Sequence, residues 1–298
     1  MLGPVVTDIE GTVLTEDDKR RIASPLVGMV ILFTRNYTDP AQLRALCDSI
    51  HAVKPGILIS VDHEGGRVQR FRKGFTRLPP LAEYGRLYTA SRQMALNAAF
   101  SHGYVLAAEL LACGVDFSFT PDLDINWKHS AVIGSRALSH DFLVVASLAQ
   151  EMIFGLREAG MGCCGKHFPG HGWAKADSHK ELPEDDRPLG DIRAIDEKPY
   201  KLLAGDLDSV MTAHVAYPEV EPGPATFSRF WIHELRQGCG FDGLVFSDDL
   251  AMGGALGAGS IVERARKALE AGCDALILCN KPEETDRLLA GLDWEPTE

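Results

Sequence analysis

Residues 57–71 read ILISVDHEGGRVQRF. A short apolar run, rich in β-branched side chains, gives way at once to an acid, a pair of glycines and two arginines. Such a run is too short for a buried helix and is punctuated like a strand that ends in a functional loop. The same construction recurs along the chain. Runs at 3–8 (GPVVTD), 28–33 (GMVILF), 57–61 (ILISV), 115–119 (VDFSF), 162–166 (GCCGK), 209–213 (SVMTA), 243–247 (GLVFS) and 275–279 (ALILC) read as strands. Helical patterns fall between them: EDDKRRIA capped by Thr15, a helix capped by Asp39 with Pro40 in its first turn, then 90–112, 141–159, 191–204, 228–237, 260–271 and 282–290. Eight strand-then-helix units in succession predict an α/β fold, a (β/α)8 TIM barrel in which residues 1–298 form one domain. A doubly wound open sheet is the alternative. Its edge strands would carry one solvated face, whereas these runs are mostly apolar throughout.

Composition narrows the function classes. With 298 residues and 45% hydrophobic content the chain can bury a full core. A formal net charge of -12 argues against a nucleic-acid binder, which normally carries a basic face. The first residues, MLGPVVTDIEGTVL, lack the basic region, apolar core and cleavage site of a signal peptide, and no 18-residue apolar run suggests a membrane span. The seven cysteines (47, 113, 163, 164, 239, 273 and 279) are odd in number and sit mostly in apolar or glycine-flanked segments. That usage fits reduced, buried thiols and a cytoplasmic location.

Polar residues gather where the strands end: Asp8, Thr34 with Arg35, Asp62, Asp122 with Asp124, Lys166 with His167, His214, Asp248 and Asn280. In a barrel the carboxyl ends of all strands meet on one face, so these residues predict one shared pocket.

Three stretches carry chemistry. In 57–71, Asp62 with Arg67 and Arg70, three apart on what could be one helical face, suits the grip of a polar ligand; HEGGR lacks the second histidine of a zinc-protease motif. FSDDLAM, 246–252, puts two acids at a strand end, where alternation turns at most one toward a ligand; Asp248 or Asp249 is a candidate nucleophile, with a cation site or a helix cap as the other readings. GKHFPGHGWAKADSHK, 165–180, is too irregular for a strand or a helix. Its glycines precede no GK[ST], which excludes a P-loop. His167, His171 and His179 with Asp177 offer a zinc set, against which Lys166 places a positive charge. Asp177 and His179, two apart, form a pair in which a carboxylate orients an imidazole; His171 reads as a structural hydrogen-bonder.

KHFPGHG followed by DSH, DHEGGRVQRF and VFSDDLAM resemble glycoside hydrolase family 3, and within it the bacterial single-domain β-N-acetylhexosaminidases of peptidoglycan recycling. LVGMVILFTRNY at 26–37 and NWKHSAVIGSRAL at 126–138 are similar to the same group, so the likeness runs from about residue 5 to 290. The resemblance implies a retaining, cofactor-free and metal-free exo-hydrolase that removes terminal β-linked N-acetylglucosamine (GlcNAc). The implied substrate is GlcNAc joined to 1,6-anhydro-N-acetylmuramic acid, with or without peptide, and the implied state is a monomer with no nucleic-acid or membrane partner. By matching motifs, the nucleophile falls on Asp248 and the acid/base on His179, oriented by Asp177. Asp62, Arg70, Arg136, Lys166 and His167 would bind the sugar, and His214 would line the pocket. A loop-borne acid/base implies a segment that swings in over the substrate. The chain departs from the family pattern at His63, where glutamine is common, at Ala251, and at 120–124, where TPDLD places Asp122 near the rim. A sugar sensor that no longer hydrolyses, and a metal-dependent hydrolase or aldolase, are the competing functions.

Overall fold

The computed structural model describes residues 3–294. Eight strands run in chain order: β1 Val5–Thr7, β2 Val27–Leu32, β3 Leu58–Val61, β4 Phe117–Ser118, β5 Cys164–Phe168, β6 Ser209–Thr212, β7 Leu244–Phe246 and β8 Leu276–Leu278. All pair in parallel. One sheet runs β8-β1-β2-β3-β4 and another β7-β6-β5. Bridges Phe117–Gly162 and Asp122–Lys166 join β4 to β5, and Phe246–Ala275 joins β7 to β8. The circle closes, and the open-sheet alternative falls with it.

Alternation of side chains across each strand divides the core into two layers. Val6, Met29, Ile31, Phe119, Cys164, Met211, Phe246, Ile277 and Cys279 point inward and fill the barrel. Their neighbours Val5, Val30, Leu32, Ile59, Val61, Val210, Val245, Leu276 and Leu278 point outward into the larger cluster under the helices. Each such burial contributes roughly 1.5–3 kcal/mol, which is why the strand runs are apolar on both faces.

The helices begin where their caps predict. In α1, Glu16–Ile22, the Thr15 hydroxyl accepts the Asp18 N–H while the Asp18 carboxylate accepts the Thr15 N–H, a reciprocal cap. In α2, Pro40–Val53, Asp39 accepts the Gln42 N–H and proline occupies the first turn. A further helix, α3, Ala82–Ala90, precedes the 90–112 pattern, which is one unbroken helix after extended Ser91, α4, Arg92–Ala112. Two expected helices are broken. After α5, Phe142–Glu158, the 191–204 pattern divides into α6, Leu189–Ile195, and α7, Lys198–Leu203. The 228–237 pattern is α8, Arg229–His233, running on into a wider π turn over Glu234–Gly238. The last two, α9 Ile261–Ala271 and α10 Pro282–Gly291, lie within a residue of expectation.

All seven cysteines are buried and unpaired. Among the described residues no helix is long and apolar enough to cross a membrane.

Candidate active site

Above the barrel's inner layer lies a cavity of about 280 Å³ whose floor is Ile31, Phe119, Met211, Ile277 and Cys279. Its walls come from the ends of six strands and the loops that follow them: Phe33, then Asp62, Glu64, Arg67 and Arg70, then Arg136, then Lys166, His167, His171 and His179, then Asp248, then Asn280. At the small end of the roughly 300–1,000 Å³ of small-molecule sites, it has room for one sugar ring rather than a polymer.

One wall is a charged network. Lys166 is 2% exposed, and its Nζ donates to Asp62 Oδ1 at 2.9 Å and to Glu64 Oε1 at 2.8 Å. Arg136 meets Glu64 with two parallel bonds, Nε to Oε2 at 2.9 Å and Nη2 to Oε1 at 2.8 Å. Arg70 reaches Asp62 Oδ2 at 3.4 Å. Burial alone would strip Lys166 of its proton, but Asp62 and Glu64 hold it charged and raise its pKa. Burial likewise opposes the charge on Asp62, yet Lys166 and Arg70 outweigh it and keep the carboxyl below its ordinary value. The network therefore presents fixed donors and acceptors of both signs, as a polyhydroxylated ligand requires.

Lys166 and His167 are consecutive, yet both line the cavity, because the pairing of β5 with β6 slips register between Lys166 and Phe168. His167 Nδ1 donates to Asp124 Oδ2 at 2.7 Å. Burial, with Arg136 beside it, pushes the imidazole down to about 4, so it is neutral at pH 7 and keeps Nε2 as its acceptor.

The acids of β7's end separate cleanly. Asp249 accepts the Ala251 and Cys279 N–H groups on Oδ1 at 3.0 and 3.3 Å, and the Cys279 thiol on Oδ2 at 2.9 Å. Burial pushes its carboxyl up to about 6. Asp248 accepts only the Asp249 N–H, at 2.8 Å, among the described residues. Burial opposes its charge, but His214, His167 and that N–H prevail and hold its pKa below the ordinary carboxylate range. It is thus an ionised carboxylate with oxygen free toward the cavity.

His179 lines the same cavity, and its Nδ1 lies 3.0 Å from Asp177 Oδ1, which also accepts the His179 N–H at 3.1 Å. Donation from Nδ1 to the carboxylate leaves Nε2 for the ligand. The side chain of His179 is 66% exposed, open to solvent while it borders the cavity.

Three expectations are corrected. His214 does not line the cavity: it is buried behind Asp248, stacks on Phe227 and lies 3.0 Å from the Asp249 carbonyl through Nε2. Asp122 is not at the rim; its bridge to Lys166 sets it in the barrel wall, fully buried, with Arg136 Nε 3.3 Å from Oδ2. Arg67 lies on the tight turn that joins short strands His63–Gly65 and Val68–Gln69, and Arg70 follows the second of them, so the two do not share a helix. The zinc set weighed as an alternative does not converge, since His171 bonds Ser178 and His179 bonds Asp177. The acids and histidines that do converge, Asp122, Asp124 and His167, have ligand atoms within 4.8 Å of one another. The His171 N–H and His167 occupy both oxygens of Asp124, and Arg136 lies 3.3 Å from Asp122 Oδ2, an oxygen that accepts no hydrogen bond among the described residues.

Two residues of the wall had no assigned role from sequence. Glu64 clamps both Arg136 and Lys166, and Asp124 orients His167. Glu64 stands two residues after Asp62, the spacing that puts side chains of an extended segment on one face, and that was the available signal.

The profile described as "Glycosyl hydrolase family 3 N terminal domain" matches residues 7–293. The "Beta-hexosaminidase" of Thiobacillus denitrificans is 56% identical over 295 residues, covering 98% of this chain and 82% of that protein. The "Beta-hexosaminidase" of Nitrosospira multiformis is 53% identical, covering 99% of this chain and 85% of that protein. Among solved structures, NagZ from Neisseria gonorrhoeae in complex with N-trifluoroacetyl-D-glucosamine superposes with a TM-score of 0.94 at 47% identity, covering all of this chain and 87% of that one.

Proposed function

The chain belongs to glycosyl hydrolase family 3, and we propose that it removes terminal, non-reducing β-linked GlcNAc by double displacement, residues 1–298 acting as one catalytic barrel. It is a β-N-acetylhexosaminidase, like the relatives it matches over nearly its whole length.

The observation that carries the assignment of roles is the pairing, in one sugar-sized cavity, of a free ionised carboxylate with a carboxylate-backed imidazole. Asp248 attacks C1 while His179 Nε2 protonates the glycosidic oxygen, the C1–O bond breaks and the aglycone leaves; a glycosyl-enzyme ester remains on Asp248. Nε2 then takes a proton from water, which attacks C1 and releases GlcNAc with its β configuration retained. One imidazole nitrogen can both give and take a proton, so the same side chain serves both steps. Asp177 steadies the imidazolium formed in the second step. Asp62, Arg70, Arg136, Lys166 and His167 hold the sugar's hydroxyl and amide groups, and the cavity's closed floor limits the reaction to chain ends. The physiological substrate is GlcNAc joined to 1,6-anhydro-N-acetylmuramic acid, with or without its peptide, a reading supported by the motif resemblance and by the likeness to NagZ.

Mass spectrometry after treatment with a 5-fluoro GlcNAc inactivator tests the assignment. A stable adduct on the peptide containing Asp248 is expected. An unmodified protein that still turns over p-nitrophenyl β-GlcNAc, or an adduct elsewhere, would overturn it.

A further inference from the structure

The loop between β5 and α6 carries His179 on an arch whose limbs are tied separately from its apex. On the first limb, the Tyr217 hydroxyl donates to the Gly170 carbonyl at 2.8 Å and the His171 N–H donates to Asp124 Oδ1 at 2.6 Å. Gly172 presses so closely on the 125 carbonyl that a Cβ there would stand 1.9 Å from its oxygen. On the second limb, the Asp185 N–H donates to the Ala216 carbonyl and the Ala216 N–H to the Pro183 carbonyl, each at 2.9 Å. The apex, residues 177–180, meets the rest of the protein elsewhere. The Gly253 N–H donates to the His179 carbonyl at 3.2 Å and the Gly254 N–H to the Ser178 carbonyl at 3.0 Å. The third contact is a side-chain pair, His171 Nε2 with Ser178 Oγ at 3.0 Å, both groups almost wholly buried.

His171 differs from a histidine kept only for packing. His102, equally buried, satisfies both ring nitrogens, with the Tyr84 hydroxyl at 2.7 Å and the Glu64 carbonyl at 2.8 Å. The ring of His171 has Ser178 as its one hydrogen-bond partner, and its Nδ1 has none among the described residues. Asp124 grips the His171 backbone with one oxygen and the His167 ring with the other. The apex is thus referenced on one side to a sugar-binding histidine, through Asp124, His171 and Ser178. On the other it rests on Gly253 and Gly254, which follow Asp248 in the chain.

We propose that His171 is a positioning residue for proton transfer: through Ser178 it holds the apex so that His179 Nε2 stays within reach of the glycosidic oxygen. This rests on His179 as the acid/base. Sugar binding at Lys166 and Arg136 does not pass through this contact, so its loss misplaces the proton donor and leaves the ground state intact.

The test compares His171→Ala, His171→Gln, Ser178→Ala and the double variant His171→Ala/Ser178→Ala, with His179→Ala as reference. A 2,4-dinitrophenolate leaves without protonation, whereas a sugar alkoxide needs the acid. kcat/KM, which reports the glycosylation step, is measured for 2,4-dinitrophenyl β-GlcNAc and for a GlcNAc disaccharide, together with inhibition by free GlcNAc. His171→Ala and Ser178→Ala should each lose about tenfold or more on the disaccharide and less than about twofold on the dinitrophenyl substrate. GlcNAc should inhibit unchanged, the double variant should lose no more than either single one, and glutamine at 171 should recover most of the loss. Equal losses on both substrates, no loss, weakened GlcNAc inhibition or additive losses would overturn the proposal. Should His171→Ala fail to fold, Ser178→Ala removes the same bond by deleting one oxygen and decides alone. If His179→Ala itself shows no leaving-group dependence, the acid/base assignment fails rather than the seat; if the unmodified protein cleaves neither substrate, the hydrolase reading fails.

Discussion

Arg136 and Glu64 face each other through two parallel hydrogen bonds, 2.9 Å and 2.8 Å long, with Glu64 only 1% exposed. Planar guanidinium against planar carboxylate fixes both the position and the tilt of the arginine. The second contact of Glu64, to Lys166 Nζ at 2.8 Å, makes one acid the common anchor of two cations. Burial opposes the charge on Glu64, but Arg136 and Lys166 hold it well below the ordinary range.

Replacing Glu64 by alanine leaves Arg136 buried with Asp122 and Lys166 with Asp62 as their remaining partners. Removing one partner of a buried pair typically costs about 3–5 kcal/mol, and both sugar-binding cations lose their aim. Glu64→Ala should lower the denaturation midpoint and weaken inhibition by GlcNAc as well as turnover. A variant as stable as the parent, with GlcNAc inhibition unchanged, would show that the anchor is dispensable.

Asp248 and Asp249 should respond differently to alanine. Asp248 bears no structural contact beyond the next N–H, so Asp248→Ala should fold normally, still be protected by GlcNAc, and lose at least about 10³-fold in kcat. Asp249 satisfies two N–H groups and a thiol, so Asp249→Ala should cost about 1–3 kcal/mol of stability while the fluoro-sugar still labels Asp248. Thermal denaturation and intact-protein mass spectrometry separate the two outcomes.

The contrast between these acids also marks what was legible in the sequence. Strand alternation said that only one of the pair could face the ligand and left open which; the choice of Asp248 came from family resemblance. The apolar runs located all eight strands to within a few residues, because strands buried on both faces leave no room for polar interruption. The caps at Thr15 and Asp39 were equally local and equally readable. Glu64 and Asp124 were not, since their partners Arg136, Lys166 and His167 lie on other strands and loops, 43 residues away for Asp124–His167 and 72 for Glu64–Arg136. His214 was misplaced because a polar residue at a strand end can point behind the pocket as well as into it, and periodicity does not say which.

Two buried histidines outside the reaction predict how stability depends on pH. Burial pushes His102 down to about 4 and His63 to about 3, against about 6.5 in an unfolded chain. Between those values the unfolded state binds protons that the folded state refuses, so stability is fully present above pH about 6.5 and is lost as the pH falls toward 4. For His102 alone the effect reaches at most roughly 3 kcal/mol. The raised carboxyls of Asp122, Asp249 and Glu197 act in the opposite direction over the same range, so the histidine share is read as the difference between parent and variant in urea denaturation at pH 7 and pH 5. His102→Gln, which can keep contacts with the Tyr84 hydroxyl and the Glu64 carbonyl, should make the pH dependence shallower; an unchanged slope would assign the proton uptake elsewhere.

Arg187 supplies the last prediction, at the far limb of the His179 loop. Its guanidinium lies against the rings of Trp127 and Trp173, 4.8 and 4.7 Å from their centres, the two rings themselves meeting edge to face. It bonds two fully buried acids, Asp185 at 2.6 Å and Asp196 at 2.7 Å. Asp196 also accepts the Trp127 indole N–H at 2.9 Å, and Asp186 accepts that of Trp173 at 3.0 Å. Ion pairs and ring contacts therefore share one cation, and lysine, a point charge without a planar face, reproduces only the first of them. Arg187→Met should cost about 3–5 kcal/mol by leaving the acids unpaired, and Arg187→Lys should lose part of that. Both should change the tryptophan emission, because the stacked cation disappears from two indoles at once. Denaturation followed by fluorescence, alongside turnover of p-nitrophenyl β-GlcNAc, checks this. A lysine variant that matches the parent in stability and emission would show that the clamp works by charge alone.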